Sequence, residues 1–404
     1  MAKNSESTML LAHKIELRPT PDQAEYLARA CGCRRHCYNP LLAHFSQDGV
    51  KWSKSAAYQH YMKTVRPLFP WYSDVSSRVT RNAIEDLDNA FKHFFRRVKN
   101  GEKPGYPVFK HKGDGDSFAL RESEKFSVDG RTLKIEKLAA PIDMRQKLRF
   151  TGPTKQVTIS QRAGKFYAAI LVDTEDYDPC SPEKDATGMD FGVHALAVLS
   201  DGTEYPANQK LKANLERLAR KQRRLARKQP GSNRRAKAKL SVAKLHKRVS
   251  DQRQAVLHEL SDAVTSEYQL VCLEDLNVAG MTKSHNLARA INDAGFGTLR
   301  RMIEYKADLR GGQVAVIGRF EPSTRLCSQC GQLHDMPLGK EWMDCDCGNL
   351  MTRDHNAAIN ILNFGLDTLT PDLKRAQETC KTVTDHGTVD DGAKTDKPRL
   401  SGFA

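Results

Sequence analysis

The sequence has no apolar run long enough to cross a bilayer. Its longest uninterrupted run, at residues 166–172, is seven residues, whereas a transmembrane helix needs about 20. The N-terminal segment is also poor in apolar residues, and His13 and Lys14 interrupt the few that it has. It therefore lacks the apolar stretch of a signal peptide. These absences exclude a membrane-spanning protein and predict a cytoplasmic location.

Acidic residues and cysteines are also in short supply. Lys and Arg number 64 against 49 Asp and Glu, a net charge of +15, which favours a polyanionic partner, either nucleic acid or an acidic membrane surface. Ten cysteines in 404 residues are too few for a disulfide scaffold. Four of them fall between residues 327 and 347, and this clustering predicts a metal site rather than a redox centre.

The first half of the chain combines helical and strand patterns. A strand at residues 9–17 precedes a helix whose start is marked by a capping box with proline at the first helical position, formed by Thr20, Pro21 and Gln23. Helical spacing predicts two further helices, near residues 55–65 and 75–99. Between residues 118 and 172, short runs separated by turn residues predict an antiparallel β-unit, plausibly a barrel. The first strand could join it, which would make the helical bundle an insertion.

Strands and helices alternate in the second half, as in an α/β domain. Strands are predicted within residues 187–205, 268–275 and 313–318, and helices at residues 297–309 and 354–362. Past Gly365 the chain is rich in Thr, Asp, Lys and Gly and poor in apolar residues, and we expect disorder there.

A basic helical hairpin is predicted between the first two of these strand regions, turning at residues 230–233. From Lys210 to Arg253 there are seventeen Lys or Arg residues and two acids. Leucines interleaved with these charges provide a packing stripe beneath them, which favours a hairpin that contacts phosphates. The alternative is a solvated helical face.

Three carboxylates occupy strand and helix ends from which they could act together. Asp190 interrupts an apolar strand, Glu274 ends another, and Asp354 opens a helix. Taken singly, they could be a turn residue, a surface charge and an N-cap. Together, in this order, they match the carboxylates with which an RNase H-like nuclease holds two Mg²⁺ ions.

Four cysteines have the spacing of a zinc site. Cys327 and Cys330 form a CxxC pair followed by glycine, and Cys345 and Cys347 form a tighter CxC pair. Four thiolates at this spacing predict a structural Cys₄ zinc site. The alternative is a set of free buried thiols. His334 and His355 are reserve ligands.

A series of motifs resembles those of the TnpB proteins of insertion sequences, in the same order. They are LRPTPDQ, CRRHCYNPLL, GYPVFKHK, MDFGVHALAVLSDG, LEDLNVAGM, AINDAGFGTLRRMIEYKA, EPSTRLCSQCG and RDHNAAINIL. The resemblance spans Met9 to Phe364, and TnpB itself resembles a compact ancestor of type V CRISPR effector nucleases. One departure is Thr352, where the family often has an acid.

The resemblance implies a multidomain α+β architecture. A wedge-type β-barrel would comprise residues 1–18 and 105–180, with an inserted helical recognition lobe at 19–104. An RNase H-like (RuvC) α/β nuclease core would comprise residues 181–320 and 350–365, including the basic hairpin at 207–262. A zinc-binding insertion at 321–349 and a disordered tail at 366–404 complete the expected layout.

The function implied by the resemblance is RNA-guided DNA cleavage. A guide RNA from the transposon end would direct the protein to complementary double-stranded DNA beside a short transposon-adjacent motif, where two-metal phosphodiester hydrolysis would follow. Asp190, Glu274 and Asp354 would hold Mg²⁺, and the four cysteines Zn²⁺. We expect a monomer without a membrane partner. Two alternatives remain: a nuclease-inactive RNA-guided repressor, and a transposase or transposition regulator.

Two groups of residues are expected to contact nucleic acid. The resemblance places readers of the adjacent motif loosely at Trp52, Ser77, Arg78, Arg81 and Ser123. Arginine can read guanine bidentately in a major groove, although Arg78 and Arg81 could equally be surface residues of their helix. In the hairpin, the candidates for phosphate contact are Arg223, Arg224, Arg227 and Lys228.

Overall fold

The computed structural model describes residues 9–174, 181–283, 288–337 and 339–368. The chain divides into two compact units. The first comprises Met1–Asp178 and Arg220–Lys247, and the second comprises Pro179–Ala219 and Arg248–Ala404. Within the described ranges, no helix is both long and apolar enough to cross a membrane.

The first unit begins with the predicted strand and capped helix. Strand β1 (Met9–Arg18) leads into helix α1 (Pro21–Phe45), whose capping box is complete. The Thr20 hydroxyl accepts from the Gln23 amide, and the Gln23 side chain accepts from the Thr20 amide at 2.9 Å. Helices α2 (Lys54–His60) and α3 (Ser77–Lys99) follow, joined by short turns of π- and 3₁₀-helix.

Seven strands form one antiparallel sheet in this unit. Strand β1 pairs with β7 over Met9–Glu16 and with β5 at Leu17 and Arg18, which confirms that the first strand joins the β-unit and that the helices are inserted. The sheet order is β2-β6-β7-β1-β5-β4-β3, and β3 approaches β6, so the sheet is nearly a barrel. The remaining strands are β2 (Ser117–Leu120), β3 (Phe126–Asp129), β4 (Thr132–Ile135), β5 (Ile142–Met144), β6 (Thr154–Arg162) and β7 (Lys165–Thr174).

Helices and sheet of the first unit share one hydrophobic core. Buried side chains of α1 and α3, such as Leu41 and Leu87, belong to the same cluster as Phe118 of β2 and Ile170 of β7. The expected boundary at residue 104 therefore does not separate two independent cores.

The second unit contains a mixed five-stranded sheet in the order β10-β9-β8-β11-β12. Strands β8, β11 and β12 are parallel, and β9 and β10 are antiparallel to their neighbours. The strands are β8 (Lys184–Asp190), β9 (Ala195–Leu199), β10 (Glu204–Pro206), β11 (Tyr268–Glu274) and β12 (Gln313–Ile317). A separate hairpin consists of β13 (Trp342–Asp344) and β14 (Leu350–Thr352). The α-helices that lie wholly within the described part of this unit are α6 (Val278–Met281), α7 (Ala288–Ala294), α8 (Phe296–Leu309) and α9 (Arg353–Thr368).

The basic hairpin forms as predicted, from α4 (Leu215–Ala226) and α5 (Asn233–Glu267). Its distal part, Arg220–Lys247, groups with the first unit rather than with the core that was expected to hold all of it. The Leu240 side chain lies against the turn at Gly164, and the Lys247 Nζ lies 4.7 Å from the Tyr167 ring centroid. These contacts supply the packing that the leucine stripe predicted.

Helix α9 is longer than predicted and extends to Thr368, past the expected start of the tail. The first three residues of that tail are therefore helical, and residues 369–404 lie outside the described residues.

Two glycines allow α9 to lie directly on the sheet. A Cβ on Gly188 of β8 would overlap the Ala358 carbonyl oxygen and lie 2.5 Å from the Leu362 nitrogen. A Cβ on Gly365 of α9 would overlap the Cys272 side chain of β11. Because neither approach leaves room for a methyl group, glycine at both positions sets the distance between helix and sheet.

We expect Gly188→Ala to lower the free energy of unfolding by about 1–3 kcal/mol or more, because the methyl group must push α9 off the sheet. Urea titration measures the change. Gly297→Ala is the matched control, since nothing lies within 4 Å of a Cβ there and alanine favours helix. Equal stabilities for the two variants would contradict this account of the contact.

Candidate functional site

The three carboxylates predicted from the sequence lie at ends of neighbouring elements. Asp190 is the last residue of β8, Glu274 the last of β11, and Asp354 lies in the first turn of α9. The two strands are parallel, with Leu273 opposite Met189, so their C-terminal ends meet at one edge of the sheet. All three side chains are half-buried.

The charges of Glu274 and Asp354 act on the Asp190 carboxylate. Burial, and then the charges of Asp354 and Glu274, raise the pKa of Asp190 to about 7, against an opposing effect of Arg353. Burial also raises the pKa of Glu274, although a hydrogen bond from Ser323 works against this. Burial and like charge disfavour full ionisation of such a group, and a divalent cation would relieve both.

Ser323 was not singled out from the sequence, where it appeared only within the EPSTRLCSQCG motif. Its buried hydroxyl donates to the Glu274 Oε1 at 2.9 Å. Asn360 of α9 in turn donates to the carbonyl oxygens of Ser323 and Leu326, at 2.7 Å each. A buried serine with this partner could be found only from the fold, because 49 residues separate it from Glu274.

A cleft of about 540 Å³ opens beside Asp354. Its walls carry polar and charged side chains from β10, the β13–β14 hairpin and the start of α9, among them Glu204, Glu341, Thr352 and Arg353. Of the three carboxylates, Asp354 lines this cleft.

The four cysteines come together as predicted from their spacing. Their Sγ atoms all lie within 4.8 Å of one another, with Cys330 and Cys345 at 3.5 Å and Cys327 and Cys347 at 3.7 Å. Within the described part of the chain, the three carboxylates are not grouped this tightly. Of the two reserve ligands, His334 lies 3.2 Å from Cys345 Sγ, whereas His355 pairs with the Ser200 carbonyl.

Tight turns shape both cysteine pairs, including the CxC pair. Gly331 and Gly348 follow the two pairs with φ of +76° and +90°, the left-handed region that glycine tolerates. Their amides donate to the carbonyls of Cys327 and Cys345, each at 2.9 Å. The second turn closes over three residues rather than four, which accommodates the shorter spacing of its cysteines.

Ionisation within the cysteine cluster is uneven. Burial raises the pKa of Cys327, but the Cys330 amide and the Asn349 side chain outweigh it and lower this pKa to about 6. For Cys345, the Cys347 amide favours the thiolate, yet burial and the neighbouring thiols raise the pKa to about 12. Four thiolates this close repel one another, and a cation would favour ionisation of the set.

Hydrogen bonds join the cysteine cluster to the helix that carries Asp354. Asn356 of α9 donates to the Leu326 carbonyl at 2.7 Å and accepts from the Ser328 amide at 2.9 Å. The Arg353 amide donates to the Glu341 carbonyl at 2.8 Å. The first turn of α9 is thus held by the segment of the first cysteine pair and by the residues that precede the second.

The expected readers of the adjacent motif have different environments. Ser77 and Ser123 are exposed, and Arg78 pairs with Glu122 at 3.4 Å. Arg81 is exposed, with its guanidinium 5.5 Å from the Tyr58 ring centroid. Trp52 is partly buried, stacks on Phe91 and donates to Asp88, so its principal contacts are packing contacts.

The four hairpin candidates are accessible. Arg223, Arg224 and Arg227 are exposed, and Lys228 is half-buried. Arg224 and Lys228 line a cleft of about 460 Å³ between the two arms, together with Lys221, Arg234 and Lys237. Such a concentration of cations suits an anionic ligand.

Comparison with known proteins identifies relatives along most of the chain. A Streptomyces pristinaespiralis protein named "Putative RNA-guided DNA endonuclease" is 36% identical over 88% of this chain and 89% of its own length. The chain belongs to the TnpB family. The Escherichia coli member named "Putative RNA-guided DNA endonuclease InsQ" is 31% identical, over 88% of this chain and 92% of its own.

Family models match three segments of this TnpB protein. The model described as "Probable transposase" covers residues 169–285, and "Cas12f1-like, TNB domain" covers residues 296–361, which include the cysteine cluster. "Helix-turn-helix domain" covers residues 9–47, where this structure has strand β1 and the single helix α1.

The fold is similar to that of a solved structure entitled "Cryo-EM structure of the Cas12f1-sgRNA-target DNA complex". The TM-score is 0.55 at 15% identity, over 85% of this chain and 83% of that one. At this identity the likeness concerns the fold alone.

Proposed function

We propose that this TnpB protein is an RNA-guided DNA endonuclease of an insertion sequence, which cleaves DNA complementary to its guide RNA beside a short adjacent motif. The observation that carries the proposal is the electrostatic coupling of Asp190 with Glu274 and Asp354 at one edge of the second sheet. The activity proposed for this site is supported by relatives named "Putative RNA-guided DNA endonuclease", which are 31–36% identical along nearly the whole chain.

The second unit is proposed to be an RNase H-like (RuvC) core. Three parallel strands with two antiparallel ones on one side suit that assignment, as do carboxylates at the ends of β8 and β11 and at the start of α9. The distal part of the basic hairpin, Arg220–Lys247, is not part of this proposed core.

The donor set suits Mg²⁺, because carboxylate oxygens are hard ligands. Asp190, Glu274 and Asp354 would hold two ions, which when bound would activate a water for attack on the phosphorus and stabilise charge on the departing oxygen. Ser323 orients the Glu274 carboxylate, and the packing of α9 orients Asp354. The cleft beside Asp354 would admit the scissile strand.

The retention of all three carboxylates favours a nuclease over a DNA-binding repressor that does not cut. The family model that matches residues 169–285 is described as "Probable transposase", which is consistent with the transposase alternative. A transposase would join DNA ends without RNA, whereas the proposed enzyme needs a matching guide. Cleavage of a matched target, with and without the transposon-end RNA, separates the three functions.

The cysteine cluster is proposed to hold a structural Zn²⁺ through Cys327, Cys330, Cys345 and Cys347. Four sulfur ligands within 4.8 Å suit tetrahedral coordination. Because Asn356 connects this cluster to the first turn of α9, the zinc would also support the position of Asp354.

Binding of nucleic acid is proposed to involve the exposed cations of the first unit. Arg223, Arg224, Arg227 and Lys228 would contact phosphates of the guide RNA or its DNA partner. Arg78, Arg81, Ser77 and Ser123 would read the adjacent motif, and Trp52 would support this surface by packing on Phe91.

We expect Asp190→Ala, Glu274→Ala and Asp354→Ala each to abolish cleavage while RNA and target binding stay close to parental, because only the metal chemistry is lost. Gel assays of cleavage and binding on the same target measure both. Asp308→Ala, which removes an exposed carboxylate of α8, is the control and should cut normally. A site variant that cuts at the parental rate would contradict its assigned role.

Neutralising Arg223, Arg224, Arg227 and Lys228 to Gln should flatten the salt dependence of nucleic-acid binding. Each lost phosphate contact should reduce the log–log slope by about 0.7–0.9. Arg235→Gln is the contrast, since this guanidinium donates to the Lys228 carbonyl at 2.7 Å and should affect stability more than the slope. An unchanged slope in the fourfold variant would mean that these side chains only face solvent.

Cys330→Ser and Cys347→Ser should each lose bound zinc and most cleavage even in excess Mg²⁺. A Cys₄ zinc contributes about 10–16 kcal/mol of apparent binding free energy, and a displacement of about 1 Å at a reacting group can cost roughly a hundredfold in rate. Elemental analysis beside a cleavage assay measures both effects. Asp346→Ala, between the ligands of the second pair, should keep its zinc. Full activity with less than half an equivalent of zinc would refute the structural role.

A further inference from the structure

The end of α3 and the segment after it carry exposed aromatic and basic residues, and we call this stretch of chain the aromatic patch (residues 92–112). Phe95, Tyr106 and Phe109 are 53%, 46% and 49% exposed. Between residues 92 and 112 there are seven Lys or Arg residues and one acid. None of the catalytic or zinc-binding residues lies here.

The rings of the patch form an ordered row. Trp52 stacks on Phe91 with centroids 4.4 Å apart, and Phe91 stacks on Phe95 at 6.1 Å. Phe94 meets Phe95 and Tyr106 edge-on, at 5.2 Å each. The row is partly buried at Trp52, buried at Phe91 and exposed at Phe95, so another flat ring could extend it at that end.

Hydrogen bonds hold the segment after α3 in place, although it has no regular secondary structure. The Tyr106 hydroxyl pairs with the Ser46 hydroxyl at 3.1 Å. Asn39 donates to the Lys110 carbonyl at 2.9 Å and accepts from the Lys110 amide at 2.8 Å. The exposed rings are thus presented by a fixed backbone, which lowers the entropic cost of binding.

The chemistry of the patch matches unpaired nucleotides. Exposed rings stack on bases, and cations beside them contact the phosphates between those bases. Arg96, Arg97, Lys99 and Lys103 are all exposed in the same stretch of chain as the rings. A second copy of the chain is disfavoured, because two surfaces with this excess of positive charge would repel each other.

We propose that the aromatic patch binds an unpaired segment of the guide RNA by stacking its bases on Phe95 and Phe109. RNA is favoured over a displaced DNA strand because exposed apolar surface is an association hazard that a permanently bound partner would cover, whereas target DNA binds only transiently. The identity of this RNA rests on the proposed function. The stacking site itself rests on the patch.

The test compares two double variants of the full chain. Phe95→Leu with Phe109→Leu keeps apolar side chains but removes the rings, and Phe95→Tyr with Phe109→Tyr keeps the rings. For an oligoadenylate RNA of about 12 nucleotides, within the ~4–16 that one binding fold can cover, the leucine variant should bind about five- to a hundredfold more weakly. The tyrosine variant should bind like the parent, as should Phe320→Leu, which alters a phenyl group that is 94% exposed elsewhere.

Ultraviolet cross-linking of the protein with its co-purified RNA should place RNA on residues 92–112 in the parent and lose it in the leucine variant. Equal RNA binding by both double variants would overturn the proposal. Three other results would also overturn it. The leucine variant could bind the matching DNA oligonucleotide more weakly while its RNA binding is unchanged, or lose binding only to anionic lipid vesicles. The third is a molecular mass by light scattering that differs between the variants. Circular dichroism checks that the variants are folded.

A cleavage assay of the parental protein with its guide RNA distinguishes failure of the patch proposal from failure of the proposed function. If the parent does not cut under RNA guidance but the leucine–tyrosine contrast holds, the endonuclease proposal fails and the patch stands. If the parent cuts and the contrast is absent, only the patch proposal fails.

Discussion

The close contact between Gly188 of β8 and the middle of α9 is the constraint on which the candidate site depends. Gly188 lies two residues before Asp190, and its contact partner Ala358 lies four residues, about one helical turn, after Asp354. The distance between strand and helix therefore sets how near the two carboxylates can come. A single methyl group at this contact would act on the site through the backbone, without touching either acid.

Helix α9 also contacts the sheet and the segment that carries the cysteine cluster. One face meets the sheet at Gly188 and Cys272, while Asn356 and Asn360 hold the segment that leads into the cysteine cluster. Asn360 also anchors the carbonyl of Ser323, whose hydroxyl binds Glu274. Two of the three carboxylates are thus positioned by one helix, and buried amide side chains make the connection because each can donate and accept in fixed directions.

The sequence predicted what local patterns determine. The capping box at Thr20, the strand that joins the β-unit, the two arms of the basic hairpin and the grouping of four cysteines all follow from spacing and residue type. It could not assign Arg220–Lys247 to the first unit, because that depends on Leu240 and Lys247 meeting a turn and a ring distant in sequence. Ser323 and the packing of Trp52 were missed for the same reason: their partners are set by tertiary contacts, which neither periodicity nor motif spacing encodes.

The distribution of charge gives the two units different tasks. The three carboxylates, two of which raise the pKa of Asp190, repel a phosphate backbone, so the site at β8, β11 and α9 cannot itself attract the strand that it would cleave. Affinity must come from cations placed elsewhere, and the hairpin cleft and the aromatic patch both lie in the first unit. Arg353, whose Nε lies 3.4 Å from the Asp354 Oδ1, offsets only part of this negative charge, because the pKa of Asp190 is still raised to about 7. The strongly basic chain therefore keeps a net acidic edge at the candidate site.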